Sequence, residues 1–173
     1  MNIFAGMWKG SLIRQLGWKS HSGTSKQFQV DSAICQPPSW SWTSRESAVS
    51  FDNIKTVKAE LLSWIPTQSS QQDSLTKLQG CKLEILAKIV QASRVVRRSE
   101  IQCTMDYKGI KRGQIDEHTH WLLLGLKSRG NSVGLVIQGM PTGDFVKVGH
   151  IMVPEGSNVW GHSDANLQRV TLR

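Results

Sequence analysis

Over residues 82–90 the chain alternates with period two. Leu83, Ile85, Ala87 and Ile89 fall on one side, and Lys82, Glu84 and Lys88 on the other. Successive side chains of a strand point to opposite faces, so this spacing predicts a half-buried strand. The pattern recurs. Residues 101–107 alternate, residues 118–126 read as a half to fully buried strand, and residues 133–138 and 145–153 give two more. Residues 48–51 suggest a short strand, and 56–65 alternate loosely. Met140-Pro141-Thr142-Gly143-Asp144 has hairpin chemistry: proline presets φ, and glycine accepts the left-handed position before the next strand. Residues 19–36, 66–74 and 108–113 read as loops. Short strands joined by polar turns predict a mainly β fold, an antiparallel sandwich or partly open barrel with a short N-terminal helix.

That helix comes from Phe4, Trp8, Leu12 and Leu16, which recur every four residues with Ile3, Met7 and Ile13 beside them. The stripe predicts a helix over residues 2–16, weakened by Gly10; a shorter one capped by Ser11, running from Leu12 to a stop at Gly17, is the alternative. Its apolar face would meet a neighbouring domain or sheet. A membrane-surface helix with Lys9, Arg14 and Lys19 on its polar side is the other option. The chain thus divides into a helical segment, 1–18, a β-rich domain, 37–156, and a patternless tail, 157–173. At 173 residues these form one domain with a real core.

The run Pro37-Pro38-Ser39-Trp40-Ser41-Trp42-Thr43-Ser44 stands apart. On a strand, Trp40 and Trp42 would share a face, and large aromatics dominate cores, so both are expected to anchor the interior together with Trp8 and Trp18. An exposed aromatic platform is the alternative.

The net charge is +8 and unevenly spread. Lys9, Arg14, Lys19 and Lys26 meet no acid in residues 1–30, and Arg94, Arg97, Arg98, Lys108, Lys111 and Arg112 make a second basic stretch. Such faces attract nucleic acid, anionic lipid or an acidic protein, or simply stay solvated. No apolar run approaches the roughly 20 residues that span a bilayer, and the N-terminus lacks a signal-peptide pattern, which points to a soluble, cytoplasmic protein. Cys35, Cys81 and Cys103 are scattered and odd in number, which suggests buried free thiols.

Few residues offer chemistry. His118 and His120, at i and i+2 on an expected strand, are the weak candidates for a metal, with Asp116, Glu117, Cys103 and His150 as further donors. Nothing fixes a third ligand, and two histidines opening a buried strand explain the pattern as well. Cys103 with His118 or His150 is conceivable as a nucleophile and base, yet no local signature supports it. Ser39, Ser41 and Ser44 are not in a Gly-x-Ser-x-Gly elbow, and no glycine loop cradles phosphate. The expectation is a non-catalytic protein without cofactor.

Phe4-Ala5-Gly6-Met7-Trp8-Lys9, then Leu12, Leu16 and Trp18, then Pro38-Ser39-Trp40-Ser41-Trp42, resembles a stretch of fungal heterokaryon-incompatibility (HET) domain proteins that lies downstream of the HET domain itself. Gly134-Leu135-Val136-Ile137 and Phe145-Val146-Lys147-Val148-Gly149-His150-Ile151 echo later family strings, although Val146 and Lys147 stand where the family has two adjacent arginines. The HET domain's own motifs have no counterpart here. The resemblance implies an interaction or regulatory domain that sits beside a HET domain or another protein partner in non-self recognition and programmed cell death. A neighbour missing from this chain would leave Phe4, Met7 and Trp8 exposed, favouring self-association. A nucleic-acid or anionic-surface module using the Arg94–Arg112 stretch is the alternative.

Overall fold

The computed structural model describes residues 3–4, 7–20, 38–44, 48–66, 81–95, 100–106 and 117–173. The strands are β1 (Ile3–Phe4), β2 (Met7–Trp8), β3 (Trp18–Ser20), β4 (Val49–Phe51), β5 (Thr56–Val57), β6 (Glu60–Pro66), β7 (Cys81–Gln91), β8 (Gln102–Met105), β9 (Thr119–Leu126), β10 (Ser132–Gly139), β11 (Phe145–Val153) and β12 (Asn166–Leu172). One α-helical turn, α1, spans Leu12–Gln15.

The fold is mainly β, as the alternation predicts. β9, β10 and β11 form an antiparallel meander, and β12 lies along β7 from Leu172↔Leu83 to Asn166↔Ile89. β7 then turns its far end to β9 through Ile89↔Leu122, Val90↔Trp121 and Gln91↔His120, so the sheet curls back on itself. The ring stays partly open, because β11 and β12 touch only at Phe145↔Leu172. β8 takes the other end of the same β11 edge, from Gly149↔Met105 to Met152↔Gln102. Between the two contacts the β11 edge has a gap at Lys147.

Alternation fills the inside of the curl. Leu83 and Ile85, Leu122 and Leu124, Leu135 and Ile137, and Val170 and Leu172 join one cluster with half-buried Phe145, so every ring strand contributes. Leu12, Ile13, Leu16, Trp18 and Trp40 pack into the same cluster. A smaller cluster on the opposite face gathers Val90, Trp121, Val136, Val148, Ile151 and Val159. The expected hairpin closes through Met140 N–H to Asp144 O (2.8 Å) and Gly143 N–H to Met140 O (2.9 Å), with Gly143 at φ +83°.

Four expectations change. The N-terminal stripe is not one helix over residues 2–16. It gives the hairpin β1–β2, a 3-10 turn Lys9–Ser11, and α1, because Gly10 breaks the propensity; Leu12, Ile13 and Leu16 enter the core. The loose strand over 56–65 is split into β5 and β6. The tail is not patternless: β12 carries the ring from β7 to the edge of β11, and only Val170 and Leu172 of it are buried, too few to announce a strand.

The tryptophan run is not a strand either. Ser41 N–H bonds to Pro38 O (2.9 Å) and Ser44 N–H to Ser41 O (3.1 Å), so the run makes two successive turns, the second a 3-10 turn over Trp42–Ser44. The same-face argument therefore fails. Trp18 and Trp40 are fully buried, whereas Trp42 is 37% exposed. Trp8 lies on β2, and its side chain is outside the described residues.

The two tryptophans of the run should accordingly separate in a stability measurement. Trp40→Ala is expected to cost about 3–5 kcal/mol, and Trp42→Ala under about 1 kcal/mol. Equal losses in chemical denaturation would contradict the burial pattern.

Candidate functional site

The polar residues that lie deepest converge where β3 and β4 cover the outer strands of the ring. β3 pairs with β4 through Trp18↔Phe51, Lys19↔Ser50 and Ser20↔Val49. Under Trp18, at the gap in the β11 edge, sits Lys147, a charged side chain with no solvent exposure at all. Its Nζ lies 3.2 Å from the centre of the Trp18 ring and 2.5 Å from Asp106 Oδ2. The carboxylate is equally buried. Asp106 is placed by its own N–H, which donates to Val148 O (2.8 Å) just beyond β8.

The tryptophan run holds this pair from the other side. Trp18 Nε1 donates to Trp40 O (2.7 Å), and Trp40 Nε1 donates to Cys81 O (3.2 Å) at the start of β7. The Lys147 N–H, which no strand reaches, donates to Ser39 Oγ (3.1 Å), and Ser39 Oγ donates in turn to Arg173 O after β12. Pro38–Ser41 therefore plugs the opening between β11 and β12, supplying the hydrogen bonds that the missing ladder would have made.

A second buried group lies three residues along β11. His150 Nε2 is 2.8 Å from Asp52 Oδ2. Lys127 Nζ donates to Asp52 Oδ1 (2.8 Å), and Lys19 Nζ is 4.0 Å from the same oxygen. Asp52 follows β4 and donates its N–H to Gly17 O (3.1 Å). Burial alone would raise the Asp52 pKa. The hydrogen bonds and charges of His150, Lys127 and Lys19 outweigh it, and hold the carboxyl well below the usual range.

Strict alternation would send Lys147 and His150 to opposite faces. A bulge prevents it: opposite Val136/Ile137 the register jumps from Gly149 to Lys147, leaving Val148 unpaired. Lys147 and His150 thus both meet the β3–β4 side, while Val148 and Ile151 both join the smaller cluster. Gly149 lets β8 approach, since a Cβ there would lie 2.7 Å from Thr104 O. The arrangement fastens β3–β4 to the ring by two charged contacts. Its groups face one another rather than a space that a substrate could enter.

The expected site residues scatter. His118 is exposed on the turn before β9, 3.7 Å from Glu117 Oε1. His120 sits edge-on to Phe145 (5.6 Å), and its Nδ1 lies 3.0 Å from His118 O; a carbonyl only accepts, so Nδ1 carries the proton. Among the described residues no three metal donors converge, and Asp116 lies outside them. Cys103 does not face His150. Thr104 is the residue opposite His150, so Cys103 points to the other side, where Sγ contacts Met105 Sδ at 3.6 Å. Cys103 is half-buried and Cys81 buried, both free thiols, with the Cys81 thiol pushed up by burial; Cys35 lies outside the described residues. In the basic stretch, Arg94 is exposed, with its guanidinium 3.6 Å from Asp164 Oδ2. Arg97, Arg98, Lys108, Lys111 and Arg112 lie outside the described residues. Sequence reasoning missed the pairing of Lys147 with Asp106 and of His150 with Asp52; the isolated lysine in the otherwise apolar middle of β11 was the available signal.

No protein family, curated protein or solved structure matches the chain in comparison.

Two outcomes follow from the charges. Asp106→Ala strands a buried ammonium and should cost about 3–5 kcal/mol, whereas Asp106→Leu with Lys147→Met removes both charges and should cost far less. A double-mutant cycle in urea checks this, and additive losses would show no coupling. Asp52 has a lowered pKa in the fold, so its contribution is complete above the unfolded value of about 3.9 and fades as pH falls through it. The stability gap between the wild type and Asp52→Asn should therefore be constant near neutrality and shrink below about pH 4. A gap that widens in acid would reverse the sign.

Proposed function

We propose that the chain is a non-catalytic interaction or regulatory domain, like the portion of a fungal heterokaryon-incompatibility protein downstream of its HET domain. It acts in the cytoplasm by docking beside a HET domain or another protein partner. One observation carries the reading: among the described residues, the buried charged side chains that converge, Lys147 with Asp106 and His150 with Asp52, are enclosed and matched to one another. A nucleophile, acid or base must touch its substrate. Lys147 and Asp106 have no exposure, and His150 is closed over Asp52. What faces outward is surface, including the large apolar side chains Phe51, Ile65 and Leu167 among lysines and arginines. No helix among the described residues is long and apolar enough to cross a membrane. The stretches behind the resemblance, residues 4–18 and 38–42 on one hand and 145–149 on the other, also meet physically at Trp18, Ser39 and Lys147.

The direct test is chromatography of the chain mixed with a HET domain taken from a protein of the family it resembles. Co-elution that persists at moderate salt is expected. Separate elution at every concentration tried overturns the reading, and preferential, steeply salt-dependent binding to an oligonucleotide would favour a basic nucleic-acid module instead.

A further inference from the structure

One surface is strongly charged and well described. Arg14, Lys19, Lys55 and Lys127 come from four separate segments: Lys19 and Lys127 meet at Asp52, and Arg14 and Lys55 adjoin them. Lys55 N–H bonds to Leu126 O (2.8 Å), which places it beside Lys127. The Arg14 guanidinium donates to Ile54 O and lies 3.3 Å from Lys55 O, so it is fixed by neutral carbonyls. Lys19 and Lys127 share Asp52, which His150 also engages. Two cations thus share one buried carboxylate, and the Arg14 and Lys55 charges beside them meet no carboxylate among the described contacts. The patch ends at the turn after Lys127, where the Glu155 side chain lies against Gly130. Phe51, next to Asp52 and across from Trp18, is 49% exposed.

Excess positive charge held this close is repulsive and persists because solvent screens it; a matching anionic surface would relieve it. We infer that this patch docks an acidic protein segment, whose carboxylates meet Arg14, Lys19, Lys55 and Lys127 and whose apolar side chain covers Phe51. The inference rests on the interaction reading above and names the chemistry of the partner. A nucleic-acid strand fits less well. It needs cations spaced along a track with several stacking rings, and here a compact group of cations lies beside a single exposed ring, Phe51. Arg14 and Phe51 give the segment a direction, because a positive charge and an aromatic face recognise different side chains.

The test uses the full chain and a fluorescent synthetic peptide with acidic residues flanking one leucine, its amide counterpart with Asn and Gln in place of the acids, and an oligothymidylate of equal charge. The acidic peptide is expected to bind, the amide peptide to bind far more weakly, and affinity to fall with salt. Lys55→Glu with Arg14→Gln should weaken binding roughly five- to tenfold, from exposed pairs worth a few tenths to one kcal/mol each. Phe51→Ser should weaken it independently of salt. Lys55 and Phe51 are exposed, so Lys55→Glu and Phe51→Ser singly serve if the Arg14 change unsettles the fold. Equal binding of the acidic and amide peptides, unchanged affinity in Lys55→Glu, or tighter binding of the oligothymidylate overturns the inference. Co-elution of a HET domain with the Lys55→Glu chain at undiminished strength would likewise overturn it while leaving the interaction reading intact. Failure of co-elution by the wild type would remove that reading, and the peptide assay would still judge the patch.

Discussion

A primary ammonium enclosed beside an apolar cluster is the constraint to which the rest of this structure answers. Removing such a charge from water costs several kcal/mol, and only a close counter-charge with satisfied hydrogen bonds recovers it. Asp106 supplies the charge and the Trp18 ring a second attractive face, worth about 2 kcal/mol when desolvated. Each requires support. Asp106 depends on β8 lying along β11, and β8 can lie there because Gly149 has no side chain. Trp18 carries an N–H that needs an acceptor, which Trp40 provides, and the Trp40 N–H needs Cys81. The same short run gives Ser39 to the orphan amide of Lys147. The barrel opening, the tryptophan run and the buried ion pair are therefore parts of one solution.

β7 was legible because its burial alternates along the chain, β9, β10 and β11 because they are short apolar runs buried on both faces, and the 140–144 hairpin because proline and glycine declare its turn. The tryptophan run misled because i, i+2 aromatics between serines mimic a strand. Its serines instead accept and donate turn hydrogen bonds, as Ser44 Oγ does to Ser41 O at 2.6 Å. β12 was illegible for a different reason: it shows the core only two side chains, and its place depends on the distant β7.

The buried cluster was illegible through the bulge. By simple alternation Lys147 lies on the same side as Phe145 and opposite His150, and a lysine on a strand reads as solvent-facing. A single unpaired Val148 resets the phase, so Lys147 and His150 turn the same way and both find acids from elsewhere in the fold. Those acids, Asp106 and Asp52, lie 41 residues from Lys147 and 98 from His150, beyond any local pattern; they become partners only once β8 and the β3–β4 pair are laid against β11. Charge pairing across that distance is a property of the assembled sheet.

The same contact separates what this chain must keep from what it can change. The segments around Trp18 and Trp40 and around Lys147 are far apart in sequence and touch in the fold. A basic side chain at Lys147 needs a carboxylate and an aromatic face to be enclosed, so Trp18, Asp106 and Lys147 act together as one packing unit. The surface around Phe51 and Lys55 carries no such demand, and side chains there can change without opening the core.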